Sequence, residues 1–338
     1  MSSLCLIIGG LKLNNFYKNK KVLVTGGTGL IGVKLIELLS YLDCDITVVS
    51  LDKFKPVNSP NINYINEDLR VYENCLKLTN DIDIVFHLAG VKGSPSMAIN
   101  RPTKFFVPTI LFNTNMIQAS FQNKVKNFLY TSSIGVYSPA KVFYEDTVWK
   151  TFPSENDKYA GWAKRMGELQ IEACLKESNH TNFHIVRPAN VFGPFDNFDP
   201  KNAMVIPSLI SRIVGGENPL TVIGDGSNVR DFIFSKDVAE VILSVVEKNI
   251  IEPINIGSGS GFSIVEIIKI LKNIFPSLEV NWDKDKPSGD KIRVMSCEIM
   301  EKYELRPKTQ LSDAILETVN WYKSNKSLSE KRYNSFNE

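Results

Sequence analysis

The sequence predicts an α/β protein: a doubly wound parallel sheet followed by a smaller C-terminal α/β domain. Three observations predict it. Short apolar runs alternate with helical periodicity through the first half of the chain. The first clear run, KKVLVTGG, ends in glycines and opens directly into a helix. After Gly193 the texture changes to turn formers, short strands and amphipathic helices.

Taken in order, KKVLVTGG is a buried parallel strand, because it is a short apolar run bounded by glycine. Apolar spacing predicts a helix over Leu30–Leu42. DITVVSLD, INYINED, DIVFHLAG and KNFLYTSS follow as strands. A long helix fits Pro102–Gln122 after its early prolines, and a second fits Lys158–Glu177. NFHIVRPANVFG is the next strand, GPFDNFDPKN is a loop, and a helix covers about Met204–Gly215. LTVIGDGSNVRDFIF reads as strand, turn and strand. KDVAEVILSVVEK and SGFSIVEIIKILKNIF are amphipathic helices, the second opened by a capping box of Ser263 and Glu266.

These elements divide the chain. Residues 1–19 read as an extension ahead of the fold. The sheet domain spans 20–190, with 225–256 contributing to it. Residues 191–224 and 257–325 form the second domain, and 326–338 a polar tail. No repeat or flexible linker separates the domains, so they should meet tightly across a cleft.

The bulk numbers exclude several classes. With 39 basic and 37 acidic residues the net charge is +2, no footprint for nucleic acid or an anionic membrane. Apolar residues make up 43% of the 338, enough for a substantial core. The five cysteines are odd in number, widely spaced and form no C-x-x-C, which argues for reduced thiols in a cytoplasm. LCLIIGG near the N-terminus follows no basic residue and falls short of the ~20 residues that span a bilayer.

TGGTGLIG, Thr25–Gly32, places Gly26, Gly29 and Gly32 at G-x-x-G-x-x-G spacing after a strand and at a helix mouth. Small residues let a pyrophosphate approach the backbone. The helix start, with Leu30 and Ile31, offers unpaired N–H groups and the positive end of its dipole. Asp52 follows 26 residues after Gly26, where a carboxylate accepts from ribose hydroxyls and repels a 2′-phosphate. NAD is therefore favoured over NADP, and Lys53 is the neighbour that would soften this preference. Asp68 is placed to reach the adenine, beside Leu69; the plainer reading is a solvated loop acid.

With these motifs in view, about Lys20–Trp321 resembles the extended short-chain dehydrogenase/reductases that act on nucleotide sugars. The carriers are TGGTGLIG, HLAG, YTSSIGVY, WAKRMGE, RPANVFGP and VRDFIFSKDVA. GPFDNFDPKNAMVIPSLI resembles the GDP-fucose synthase branch. The resemblance implies a Rossmann cofactor domain, with Leu88 and Ala89 of HLAG on the cofactor. It makes His87 structural, Ser133 (with Ser132 as runner-up) the catalytic hydroxyl, and Lys164 the residue holding the nicotinamide ribose. Asn190 and Arg230 become pyrophosphate contacts, and Asn197 and Phe198 belong to the loop over sugar or base. A salt bridge to Asp231 or Asp237 is the structural alternative for Arg230. Arg187 is read as structural, His180 as a surface residue and His184 as a strand residue. No metal is expected. A homodimer through Pro102–Gln122 and Lys158–Glu177, or a larger homo-oligomer, is implied.

One departure dominates. The family's tyrosine base stands four residues before the lysine, and that position is Ala160. Three outcomes stay open. Tyr159 takes the role, which needs a π-bulge, since residues five apart on an α-helix point about 140° apart. Or the proton passes to water or another side chain. Or the site is catalytically silent, whether by nature or because Ala160 is an engineered change. Ile134 and Gly135 stand where the 4,6-dehydratases carry an Asp–Glu pair. No cysteine lies in Tyr130–Tyr137, and Met204 stands where the epimerising histidine is expected. Hydride chemistry at a sugar hydroxyl, C4 first, therefore survives. A 4-epimerase is one rival, and a dinucleotide or sugar sensor without turnover is another.

Overall fold

Apolar runs with polar or glycine boundaries build the central sheet. The computed structural model describes residues 6–8, 11–13, 15–91, 93, 100–178, 182–285 and 290–330. A two-strand hairpin, β1 (Leu6–Ile8) and β2 (Leu11–Leu13), comes first. Then follow β3 (Lys21–Thr25), α1 (Leu30–Leu39), β4 (Asp45–Val49), β5 (Ile62–Ile65), α2 (Tyr72–Thr79) and β6 (Ile84–His87). Next are α3 (Pro102–Gln122), β7 (Asn127–Thr131), β8 (Val142–Phe143), α4 (Lys158–Glu177), β9 (Asn182–Pro188) and β10 (Asn190–Phe192).

The remaining elements begin with α5 (Val205–Val214), β11 (Leu220–Ile223), β12 (Val229–Arg230), β13 (Phe232–Phe234) and α6 (Ser235–Glu247). After them come β14 (Ile254–Ile256), β15 (Phe262–Ser263), α7 (Ile264–Ile274), β16 (Val280–Asp283), β17 (Ile292–Met295), α8 (Glu298–Lys302) and α9 (Leu311–Glu330).

Seven strands form one parallel sheet in the order β14-β9-β7-β6-β3-β4-β5. The order reverses between β3 and β6, which opens a crevice at their carboxyl ends. One apolar cluster joins β3, α1, α6 and β14; a second, on the other face, joins β6 and β7 to α3 and α4. A third lies under α5, α7 and α9 in the C-terminal part. No described helix is long and apolar enough to cross a membrane.

Several expectations need correction. The run Asn182–Gly193 is two strands, β9 ending at Pro188 and β10 beginning at Asn190. β10 leaves the large sheet and pairs with β13. Leu220–Phe234 is strand, turn and strand as expected, but its second strand is split at Asp231 and the pieces enter three sheets, β11 with β16, β12 with β15 and β17, β13 with β10. Helix α1 stops at Leu39, and Leu42 folds back into the core. Tyr17, within the stretch read as an extension, is buried and donates its hydroxyl to the Leu243 carbonyl at 2.6 Å. Helical structure continues to Glu330, beyond a kink at Asn325 and past the expected start of the tail. The capping box on α7 forms as the sequence predicts.

Candidate active site

The crevice is a cavity of about 640 Å³. Gly26, Gly29, Leu30, Asp52, Asp68, Leu69, Leu88 and Ala89 all lie on its wall, as do Asn197 and Phe198 from the loop opposite. The glycine turn has physical reasons for its residues. Gly26 has φ +67°, and a Cβ there would meet the Ala89 backbone nitrogen at 2.8 Å. A Cβ on Gly32 would stand 2.3 Å from the Gly26 carbonyl, so Gly32 lets α1 pack onto the turn. Gly29 caps α1 with no side-chain bond. The first-turn N–H groups of Leu30, Ile31 and Gly32 are thereby left as donors for an anion.

Asp52 lies on the cavity wall. It accepts from the Thr28 hydroxyl at 3.0 Å, which holds its carboxylate at the rim. Asp68 is tied to Arg70 by hydrogen bonds of 3.0 and 2.9 Å from Nε and an ion pair at 2.7 Å. That hydrogen bonding holds its carboxyl below the usual range. Arg70, also on the wall, was missed by the sequence reading; its sign is the acid two residues earlier. Across the cavity mouth Phe54 stacks on Phe195, ring centroids 6.3 Å apart.

These residues fit a dinucleotide: a side-chain-free turn, open helix donors and a rim carboxylate. When bound, such a cofactor supplies a hydride acceptor or donor.

Ser133 follows the carboxyl end of β7, which Lys164 also reaches; neither residue lines the crevice wall itself. Lys164, from α4, donates from Nζ to the Thr131 carbonyl at 2.8 Å. Its ammonium lies 5.1 Å from the Tyr130 ring centroid. Burial lowers its pKa to about 8, against a smaller opposing pull from Glu168. The Ser133 hydroxyl accepts the Gly135 N–H at 3.1 Å. Ser132, the runner-up, donates to Glu168, which also takes Arg187 from both oxygens at 3.0 and 2.8 Å. Ser132, Glu168 and Arg187 are all buried, so they hold the sheet to α4.

Ala160 stands on α4 between Asp157 and Lys164. The helix is α throughout Lys158–Glu177, without a π-bulge. Tyr159 is 40% exposed and packs edge-on against Phe106, centroids 6.2 Å apart. The structure does not bring it beside Lys164.

His87 is buried between Thr25 at 2.8 Å and Asn113 at 2.9 Å, and burial lowers its pKa to about 3. Asn113 continues the chain to the Tyr130 hydroxyl at 3.1 Å, which donates to the Lys164 carbonyl at 3.2 Å. His184 is buried on β9; His180 lies outside the described residues. Asn190 donates one amide hydrogen to the Asp231 carbonyl at 2.8 Å and keeps a second. Arg230 pairs with neither Asp231 nor Asp237. Asp231 instead takes Ser258 and Met295, and Asp237 takes Lys308 and Thr309. The Arg230 neighbours are Arg293, Asp290 and Asp157. Asn197 accepts the Asp199 N–H at 3.0 Å, and Phe198 stacks on Tyr322 with centroids 4.3 Å apart. Among the described residues no three metal-ligating side chains are grouped.

Comparison with known proteins agrees with this geometry. The chain is 26% identical over 318 residues to GDP-L-fucose synthase of Azorhizobium caulinodans, covering 90% of this chain and 97% of that protein. It is 28% identical to a putative UDP-glucose 4-epimerase of Methanocaldococcus jannaschii, covering 90% and 99%. A solved structure, UDP-N-acetylglucosamine 4-epimerase from Methanobrevibacter ruminantium with UDP-N-acetylmuramic acid, superposes with TM-score 0.81 at 28% identity, covering 91% and 99%. The profile of the NAD dependent epimerase/dehydratase family matches residues 22–257. The chain belongs to that family of extended short-chain dehydrogenase/reductases.

Proposed function

We propose that this protein is an NAD-dependent oxidoreductase of nucleotide-activated sugars, moving hydride at C4 as a dehydrogenase or 4-keto reductase. The observation that carries this reading is the glycine-lined crevice, with Lys164 bonded to the end of β7 two residues before Ser133. Ser133 orients the sugar hydroxyl. Lys164 holds the nicotinamide ribose. Asn190, through its second amide hydrogen, and Arg230 hold the diphosphate, since both suit phosphate oxygens. Asp52 at the rim supports NAD over NADP. GDP is the nucleotide we favour, from the Gly193–Ile210 segment and the similarity to a GDP-L-fucose synthase.

A 4-epimerase is the second reading, favoured by the similarity to two proteins named as 4-epimerases. It needs the same residues and a keto intermediate re-reduced on its other face. NMR of the product separates the two. A 4-keto sugar with stoichiometric NADH supports the dehydrogenase, and an inverted C4 without net NADH the epimerase. Absence of both with every nucleotide sugar supports a sensor without turnover. We read the assembly as a homodimer through α3 and α4, whose exposed apolar residues include Val107, Leu111, Tyr159 and Leu169.

A further inference from the structure

The carboxylate of Asp157 is in an unusual place. As N-cap of α4, an aspartate normally accepts the N–H of the second or third helical residue. Asp157 makes no such bond. Its carboxylate turns instead toward the Ser133–Gly135 loop. The Asp157 carboxyl carbon and the Ser133 hydroxyl oxygen each lie 3.5 Å from the point where a Cβ of Gly135 would stand.

Two contacts hold it there, and a close helix–loop packing supports them. Arg293 of β17 pairs with it at 2.7 Å. The Ser154 hydroxyl donates to it at 3.3 Å. Gly161, one turn along α4, brings the helix against the Gly135 carbonyl, where a Cβ would stand at 2.3 Å. The Asp157 side chain keeps 21% of its surface open, so a ligand can touch it. Asp157 caps α4 three residues before Ala160, and Lys164 follows Ala160 one turn along the helix.

Resting on the functional reading above, we propose that Asp157 is the proton acceptor for the sugar hydroxyl, in place of the phenol absent at Ala160. The step balances. The hydroxyl proton passes from oxygen to the Asp157 carboxylate, the carbonyl π bond forms, and the hydride leaves C4 for the nicotinamide. In the reducing direction the same carboxyl group returns the proton. Ser133 orients the oxygen, and Arg293 keeps the carboxylate turned toward it. A Cβ on Gly135 would lie in ordinary contact with it at 3.5 Å.

The test uses the full-length, NAD-loaded protein in single turnover, with calorimetry of nucleotide-sugar binding alongside. Asp157→Asn should slow hydride transfer by about 10²–10⁴-fold, the usual worth of a general base. Nucleotide-sugar affinity should stay within about threefold of wild type, about 0.7 kcal/mol. Adding Ala160→Tyr to Asp157→Asn should recover rate. An Asp157→Asn rate within threefold of wild type would overturn the assignment. So would a loss of rate matched by an equal loss of sugar affinity, because the carboxylate would then only hold Arg293. Wild-type silence toward every nucleotide sugar overturns the functional reading and this assignment with it.

Discussion

Lys164 reaches back from α4 to the Thr131 carbonyl at 2.8 Å, fixing the helix to the strand end that carries Ser133. Its pKa of about 8, lowered by burial from 10.5, gives a signed expectation. Between about pH 8 and 10.5 the unfolded chain holds the proton and the folded protein does not. Folding stability should therefore rise with pH across that window. Urea unfolding at its two ends checks this, and Lys164→Met should flatten the rise. If Lys164 holds the ribose as proposed, NAD affinity should fall above about pH 8 in the wild type as its charge is lost.

Glu168 and Arg187 form a two-oxygen ion pair with both side chains 1% exposed. Glu168→Gln leaves the guanidinium buried without a counter-charge. We expect a loss of about 3–5 kcal/mol, read as a lower urea midpoint at unchanged slope.

His87 and His184 are held neutral by burial, at about 3 and about 4. Both values lie below the ordinary 6.5, so the stability these groups confer is complete above pH 6.5 and lost as pH falls through the folded values. Acid unfolding should therefore begin well before carboxylates titrate. His87→Ala should cost about 1–3 kcal/mol at neutral pH, by orphaning the Thr25 and Asn113 groups, and should soften the acid slope.

Asp52 sits on the cavity rim and accepts from Thr28. Asp52→Asn should weaken NAD about 10–100-fold, the loss of a charge-assisted hydrogen bond to ribose, and should narrow the gap to NADP. Calorimetry with both cofactors checks it. Unchanged NAD affinity would place the ribose elsewhere.

How much of this was legible follows from how local each signal is. Helices α3 and α4 end where proline placement and apolar spacing set them, at Pro102–Gln122 and Lys158–Glu177. The glycine turn and Asp52 are also local, and they line one wall. The strands of Leu220–Phe234 were legible but their pairing was not, because their partners are β10, β15, β16 and β17, segments far away in sequence. The Asp157–Arg293 pair depends on the same long-range pairing, since β12 and β17 set Arg230 beside Arg293. The one trace of it in the sequence was an aspartate seven residues before Lys164, which reads as an ordinary helix cap.

The most direct measurement is a single turnover of the NAD-loaded protein with nucleotide-linked hexoses, GDP-linked sugars first, followed by near-ultraviolet absorbance and NMR of the sugar. The account expects either NADH appearing in step with a 4-keto sugar or an inverted C4 with no net NADH. NAD bound tightly, with every nucleotide sugar recovered unchanged and no NADH formed, would contradict it.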